Sequence, residues 1–369
     1  MSAEYALNNK GANVIYYICP TLEHDIGIPV CNFLGFQKQN VSGKPTYDDP
    51  HTICGLLEIA LKGCEPLNHP TIIPSSRTDK GVHALCNTVH VDLDGDPRKI
   101  CSRSIHLHLN RFFTFNDHDI RILRVQQVPD QFHSRHQAYE RQYLYRLAVP
   151  RAGALWRQRP LVPSPLTEHN RCCFLQDSTF DSEAIKAACG IFVGVKDFGA
   201  LCSKSREKLG RNVTTVRDIR SLELSPSAPF IPNRQLTEDY TFWQFSCIGK
   251  SFLYHQVRRM VSALVTYGQG RVDLADIQRL IDKPVQDSWT PVYQTLGACG
   301  LYLVDVLYHA EDLSYNEELT AEQRKVQALE EEAAQIMKQL TEFDGTVMDK
   351  INLKTRLIKI KNSLARFSC

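Results

Sequence analysis

The stretch Ser75-Ser76-Arg77-Thr78-Asp79-Lys80-Gly81-Val82-His83 runs directly into Ala84-Leu85-Cys86-Asn87-Thr88-Val89-His90-Val91-Asp92-Leu93. Its first part carries turn chemistry: Asp79 and Gly81 suit a tight reversal, and short polar side chains bond nearby backbone amides. In its second part Leu85, Val89, Val91 and Leu93 alternate with polar partners, which predicts a strand over 84–93. Working outward, a short strand fits Thr71–Ile73 and a helix fits Ile53–Gly63, where Ile53, Leu56, Leu57, Ala60 and Leu61 share one face. A first strand lies near Val14–Cys19; a second helix fits Lys99–Leu109 and a further strand Ile120–Val128. The order β-α-β-β-α-β is the split βαβ, or ferredoxin-like, pattern.

The second half repeats the order. A strand is predicted at Gln142–Val149, a helix at Ser182–Cys189, strands at Thr215–Leu224 and Tyr240–Ile248, a helix at His255–Tyr267 and a last strand at Leu301–Leu307. The expected fold class is therefore α+β: two ferredoxin-like halves, 11–130 and 131–310, with antiparallel sheets joined edge to edge around a central cleft. Pro150–Pro165 reads as a long connection and Ser225–Pro232, with three prolines, as a surface loop. Residues 311–369 form a third region. Leu319, Val326, Leu329, Ala333, Ile336, Leu340 and Phe343 recur there at helical spacing until Asp344-Gly345, and the pattern predicts an amphipathic helical hairpin.

Composition narrows the function classes. The 369 residues are 43% hydrophobic and 23% charged, as in ordinary proteins with a sizeable core. No apolar run approaches the ~20 residues of a membrane-spanning helix. Lys plus Arg number 43 against 41 Asp plus Glu, which excludes a strongly basic chain but not a local basic cleft. Thirteen cysteines without a Cys-x-x-Cys pair argue against a zinc ribbon or a secreted disulfide framework. The N-terminus lacks the pattern of a secretory signal, and Glu4, Glu23 and Asp25 fit a mitochondrial presequence poorly. The expectation is an intracellular protein, cytoplasmic or nuclear by default, whose cysteines pack as small hydrophobes.

The loop string is more specific than its turn chemistry. Ser76 through His83 resembles the signature of TruA-type tRNA pseudouridine synthases, Gly-Arg-Thr-Asp-Ala-Gly-Val-His, with Ser76 and Lys80 at the Gly and Ala positions. It is most similar to the eukaryotic pseudouridine synthase-like branch. Gly35-Phe36-Gln37-Lys38-Gln39 resembles that family's Gly-Trp/Phe-Gln-x-Gln, Phe132-His133-Ser134-Arg135 its Phe-His-Ala-Arg, and Arg141-Gln142-Tyr143-Leu144-Tyr145 its Arg-x-Tyr-x-Tyr strand. Asp197-Phe198, Val257-Arg258 and Gly300-Leu301-Tyr302-Leu303 resemble later motifs in the same order, so the likeness covers roughly 14–308. Two departures stand out: Pro20–Asn32 intervenes before Gly35-Phe36-Gln37, and the helical tail lies outside the pattern.

The resemblance implies two ferredoxin-like halves around a cleft and an isomerase that breaks a uridine N1–C1′ bond, turns the base and rejoins it through C5. The target region it implies is the tRNA anticodon stem-loop, about positions 38–40. Neither cofactor nor metal is expected; tRNA is the expected partner, with no membrane. Bacterial relatives suggest a homodimer, and some eukaryotic relatives are mitochondrial. The reaction needs a carboxylate held ionised near the sugar, either to attack carbon or to remove a proton. The resemblance assigns that role to Asp79, with Arg258 as its cation. On the 255–267 helix Val257, Met260, Val261, Leu264 and Val265 form the apolar face; at about 100° per residue Arg258 lies at its edge, while Arg259 points nearly opposite. Tyr143 is implied as the ring under the uracil and the hydroxyl near its C5 proton, although periodicity does not separate it from Tyr145 on the same strand face. Leu301 is implied beneath the base, Arg77 as a residue that helps displace or replace it, Arg135 as an RNA contact, and His83 with them on the substrate side.

Other readings are weaker. Gly249-Lys250-Ser251 fails as a phosphate loop because position 244 is Gln244, not glycine. His106 with His108, and His133 with His136, lack identifiable further metal ligands. Arg98, Lys99, Arg103, Arg111, Lys204, Arg206, Lys208, Arg211, Arg217 and Arg220 form local basic groups suited to phosphates. The serious alternative is a non-catalytic RNA-binding protein on the same two halves, for which Asp79 has no use.

Overall fold

The computed structural model of the protein describes residues 11–19, 35–38, 49–151, 164–203, 214–231, 237–314, 321–341 and 347–367. The chain divides into two compact units, 1–313 and 314–369. Pro20–Asn32, Gln39 and the basic residues Lys204, Arg206, Lys208 and Arg211 lie outside the described residues, as does most of the Pro150–Pro165 connection.

One ten-stranded, mostly antiparallel sheet runs through the first unit. Its first part holds β1 (Gly11–Cys19), β2 (Ile73–Pro74), β3 (His83–Leu93) and β4 (Arg121–Val128), with α1 (Ile53–Lys62) and α2 (Ser102–Phe115). Its second part holds β5 (Glu140–Pro150), β6 (Cys173–Phe174), β7 (Gly194–Asp197), β8 (Val216–Ser227), β9 (Tyr240–Gly249) and β10 (Leu301–Leu307). Helices α3 (Ser182–Ala188), α4 (Gln256–Gly268) and α5 (Leu274–Asp282) belong with them. The Thr52 side chain caps α1 by accepting from the Gly55 amide, and Leu57 and Leu61 then meet Ile105, Leu109 and Phe113 of α2 over Val89, Val91 and Leu93. Met260, Val261 and Leu264 of α4 do the same for the second part, packing with Ile185, Phe245 and Leu303.

The strand order is β4-β1-β3-β10-β5-β9-β8-β7, with β2 beside β3 and β6 beside β5. The pairs β4–β1, β1–β3 and β3–β2 are antiparallel, and so are β10–β5, β5–β9 and β9–β8. The two parts meet where β10 runs parallel to β3, Tyr302 opposite His83 and Leu303 opposite Ala84. On that same edge β2 pairs farther along, at Val89 and His90. Because β2 has only two residues, the start of β3 stays open to β10, and the loop 75–82 returns to the sheet at this seam.

Four expectations need correction. Leu85 is 40% exposed, and the buried parity changes from Val82 and Ala84 to Val89, Val91 and Leu93. The cause is a register shift between β1 and β3, where the pairs move from Tyr17–Asn87 to Cys19–Ala84; an extra residue on one strand reverses which positions face inward. The second helix starts later than Lys99, since Cys101 is extended (ψ 153°) and separates a short capped turn at Pro97–Ile100 from α2. Ser225–Ser227, including Pro226, belong to β8 rather than to a loop. Proline is accommodated there because β7 pairs only with Val216–Ile219 and, among the described residues, no strand pairs with that edge of β8 at 226. Finally, α5, β6 and β7 went unread. α5 carries a findable signal, the capping box of Asp273 and Asp276, but buries only Ile277 and Leu280.

The second unit contains α6 (Ala321–Thr341) and α7 (Val347–Phe367). Ile336, Leu357 and Ile360 form its buried centre with Leu329, Ala333, Leu340 and Leu353 around them, and Arg356 pairs with Glu332. Leu319, Phe343 and Asp344-Gly345 lie outside the described residues. No helix among the described residues is long and apolar enough to cross a membrane.

Candidate active site

The loop 75–82 is held from several sides. Val82 N–H donates to the Asp79 carbonyl (3.1 Å) across a turn whose third residue, Gly81, has φ +79°, the left-handed value of a type II reversal. Ser75 Oγ donates to Asn87 Oδ1 (2.8 Å), and Asn87 Nδ2 donates to the Ser76 carbonyl (3.0 Å). Phe36 N–H donates to the Thr78 carbonyl (3.1 Å). Beside it Gly35, at φ +113°, lies so close that a Cβ would sit 3.3 Å from Thr78 O and 3.4 Å from Lys80 N. The Gly35-Phe36 segment therefore buttresses the backbone that carries Asp79.

Arg141 on β5 completes the support. Its buried guanidinium donates to Ser76 Oγ (2.9 Å) and to the carbonyls of Ser75 (3.0 Å), Arg135 (3.0 Å) and Lys250. One planar group with five donors thus joins the Asp79 loop, the Arg135 loop and the end of β9. The motif strand supplied this residue to the sequence reading, but only the fold reveals its partners.

Asp79 is presented at the seam with its side chain 33% exposed. Arg258 of α4 approaches it, Nη1 lying 3.9 Å from Oδ2, while its Nε donates to the Leu296 carbonyl (2.8 Å) and fixes the side chain inward. Arg259 turns elsewhere, donating to the carbonyls of Ala200 and Cys202 and lying over Trp289. His255, which sequence reasoning did not single out, brings Nε2 to 3.4 Å from the same Asp79 oxygen.

The two tyrosines of β5 separate clearly. Tyr145 is fully buried and donates to the Gly297 carbonyl (2.6 Å). Tyr143 packs edge-on to Phe252, shares a hydrogen bond with Ser76 and lies in the field of Asp79. Burial pushes its phenol up to about 12, against the pull of Arg141 and Ser76, so it carries its proton at neutral pH. Leu301 is buried opposite Tyr145 across the β10–β5 pair, in the same apolar cluster as Tyr143.

The remaining expected residues divide. Arg77 and Arg135 are both exposed, and the positive field of Arg135 bears on Arg77, Arg141 and Arg217. Arg135 is set in place by Ser134, whose N–H donates to His90 Nδ1 (3.1 Å) and whose hydroxyl donates to the Ile73 carbonyl (2.8 Å). His83, by contrast, is enclosed. Its Nε2 lies 2.8 Å from the Asn170 carbonyl and 3.1 Å from that of Cys299, and its ring stacks on Tyr302. Burial lowers its pKa to about 4, so it is a neutral tie across the seam. Of the wider basic groups, Arg98 pairs with Asp96, Lys99 with Glu65 and Arg220 with Glu140.

Fold and site define an α+β protein with a carboxylate presented at the seam of a continuous sheet, a guanidinium against it and a protonated phenol behind it. A family model described as tRNA pseudouridine synthase matches residues 188–309. The chain is 31% identical over 288 residues to tRNA pseudouridine synthase-like 1 of Xenopus laevis, covering 76% of this chain and 91% of that protein. It is 34% identical to the Mus musculus protein of the same name (69% and 84% covered) and 31% identical to tRNA pseudouridine synthase A of Leuconostoc citreum (75% and 93% covered). The chain belongs to the TruA-type tRNA pseudouridine synthase family.

Proposed function

We propose that this protein isomerises uridine to pseudouridine in the tRNA anticodon stem-loop, at about positions 38–40, with Asp79 as the reacting carboxylate. As the N1–C1′ bond breaks, Asp79 either bonds to C1′, an ester that C5 later displaces, or takes the C2′ proton, which it returns to C2′ as C5 bonds to C1′. The base then turns, C5 bonds to C1′, and the C5 proton is lost while N1 gains one, so the product is an isomer. Arg258 favours the ionised carboxylate. Tyr143, with Leu301 beside it, underlies the uracil and offers its hydroxyl toward C5. Arg77 and Arg135 take phosphate or the place vacated by the flipped base. His83 is better read as a seam tie than as a substrate contact.

The observation that supports this reading most is the convergence of Asp79, Arg258 and Tyr143 from three separate elements onto one seam. The common order β4-β1-β3-β2 and β10-β5-β9-β8 supports reading the two parts, 11–130 and 131–310, as copies of one ferredoxin-like unit. A homodimer in an intracellular setting belongs to the same reading. Pseudouridine formation on unmodified tRNA transcripts, with single uridines at positions 38, 39 or 40, tests it. Wild type is expected to turn over without added metal or nucleotide, and Asp79→Asn to lose roughly 10²–10⁴-fold or more in kcat while retaining tRNA affinity. Binding without turnover by folded wild-type protein across a broad tRNA set replaces it with the RNA-binding alternative.

A further inference from the structure

Both ring nitrogens of His255 are engaged, Nε2 toward Asp79 and Nδ1 toward Ser203. Nε2 lies 3.4 Å from Asp79 Oδ2, nearer than Arg258 Nη1 at 3.9 Å on the same oxygen. Nδ1 lies 2.7 Å from Ser203 Oγ. A neutral imidazole that accepts the Ser203 hydroxyl at Nδ1 carries its hydrogen on Nε2, and an imidazolium carries one on each nitrogen. With the Ser203 hydroxyl donating to Nδ1 of the neutral ring, Nε2–H faces the carboxylate in both charge states. The Tyr254 ring, stacked with centroids 3.8 Å apart, fixes the plane of the imidazole.

The backbone shows the same commitment. His255 is the N-cap of α4, yet its φ is +64° and its side chain makes no capping bond. A non-glycine residue in this region is strained and persists only where the surrounding structure over-determines it. Here the strained backbone places the ring on Asp79 instead of on the helix end. Arg258 follows less than one turn later, so the N-cap and first turn of α4 bring two partners to the carboxylate.

We propose that His255 is a positioning residue of the Asp79 centre, orienting the carboxylate through Nε2–H and adding positive charge beside it once protonated. The inference rests on the reading of Asp79 as the reacting group. The described charged and titratable groups beside His255 include Asp79 from the loop before β3, the stacked Tyr254, and Arg258 from α4 on the same Asp79 oxygen; Ser203 is a neutral partner.

Two measurements on the full-length protein test it. In the first, ¹³Cε1-histidine labelling reads the titration of His255, its signal assigned by loss in His255→Gln. Its midpoint is expected to fall by about one pH unit or more in Asp79→Asn, because the anion is gone. An unchanged midpoint overturns the proposal, and this readout needs no turnover. In the second, the pH dependence of kcat/KM is compared between wild type and variants. His255→Ala is expected to lose about 10–100-fold in kcat with tRNA KM unchanged, and to move the acid limb upward by about half a unit or more. His255→Gln, which keeps a donor near Nε2, recovers part of kcat but not the acid limb. Ser203→Ala, which leaves His255 itself in place, shifts the limb the same way by less. Acid limbs unmoved in all three variants overturn the proposal. A wild type without turnover removes the catalytic reading alone and leaves the His255–Asp79 coupling to the titration.

Discussion

Tyr143 combines a packing role with the chemical one proposed for it. Its ring is embedded against Phe252, while its hydroxyl meets Ser76 of the Asp79 loop. Tyr143→Phe keeps the ring and removes only the hydroxyl. The expected outcome is a fall in kcat of roughly 10²-fold with little change in tRNA KM, read by single-turnover tritium release from C5-labelled tRNA. Gly35 is the opposite case, a residue that acts by having no side chain. At φ +113° with Thr78 O 3.3 Å from a Cβ, Gly35→Ala is expected to cost about 1–3 kcal/mol in urea unfolding and to displace the Asp79 backbone. A kcat loss larger than the stability change alone explains is the signature of that displacement.

At the scale of elements, β3 carries the site and is itself tied down by two neutral histidines. Burial lowers His83 to about 4, and burial followed by the charge of His133 lowers His90 to about 4. Both lie below the unfolded value of 6.5, so between these limits the unfolded chain binds protons that the folded one excludes. The stabilisation from holding them neutral is complete above pH 6.5 and is lost as pH falls toward 4. At about 1.4 kcal/mol per unit, the pair amounts to several kcal/mol. Urea midpoints are expected to be level above pH 7 and to drop between 6.5 and 4, with a shallower drop in His90→Gln. A midpoint level through that window contradicts the assignment.

At the scale of the whole molecule, the division into 1–313 and 314–369 coincides with separate apolar clusters. The hairpin buries Ile336, Leu357 and Ile360 among its own residues. Deleting 314–369 is therefore expected to leave the main thermal transition within about 2 °C of the full chain, since the described members of the first unit's clusters all remain. Calorimetry checks this, and a larger fall shows that the hairpin supports the body.

The sequence by itself marked most of the strands and helices, the hairpin, and the loop, strand and helix on which Asp79, Tyr143 and Arg258 stand. These rest on periodicity and short motifs, which are local properties of the chain. Only the tertiary structure decided what depends on register and neighbours. The shift between Tyr17–Asn87 and Cys19–Ala84 turned Leu85 outward, because a strand's facing reverses at an extra residue that no pattern marks. Among the described residues no strand pairs with β8 opposite its β9 edge at 226, which admits Pro226 to the strand. Tyr143 parted from Tyr145 because the Gly297 carbonyl, far away in sequence, takes the Tyr145 hydroxyl. His83 became a seam tie, Arg141 a clamp and His255 a partner of Asp79 for the same reason: each meets groups on elements that only the folded sheet brings within hydrogen-bond or ion-pair reach.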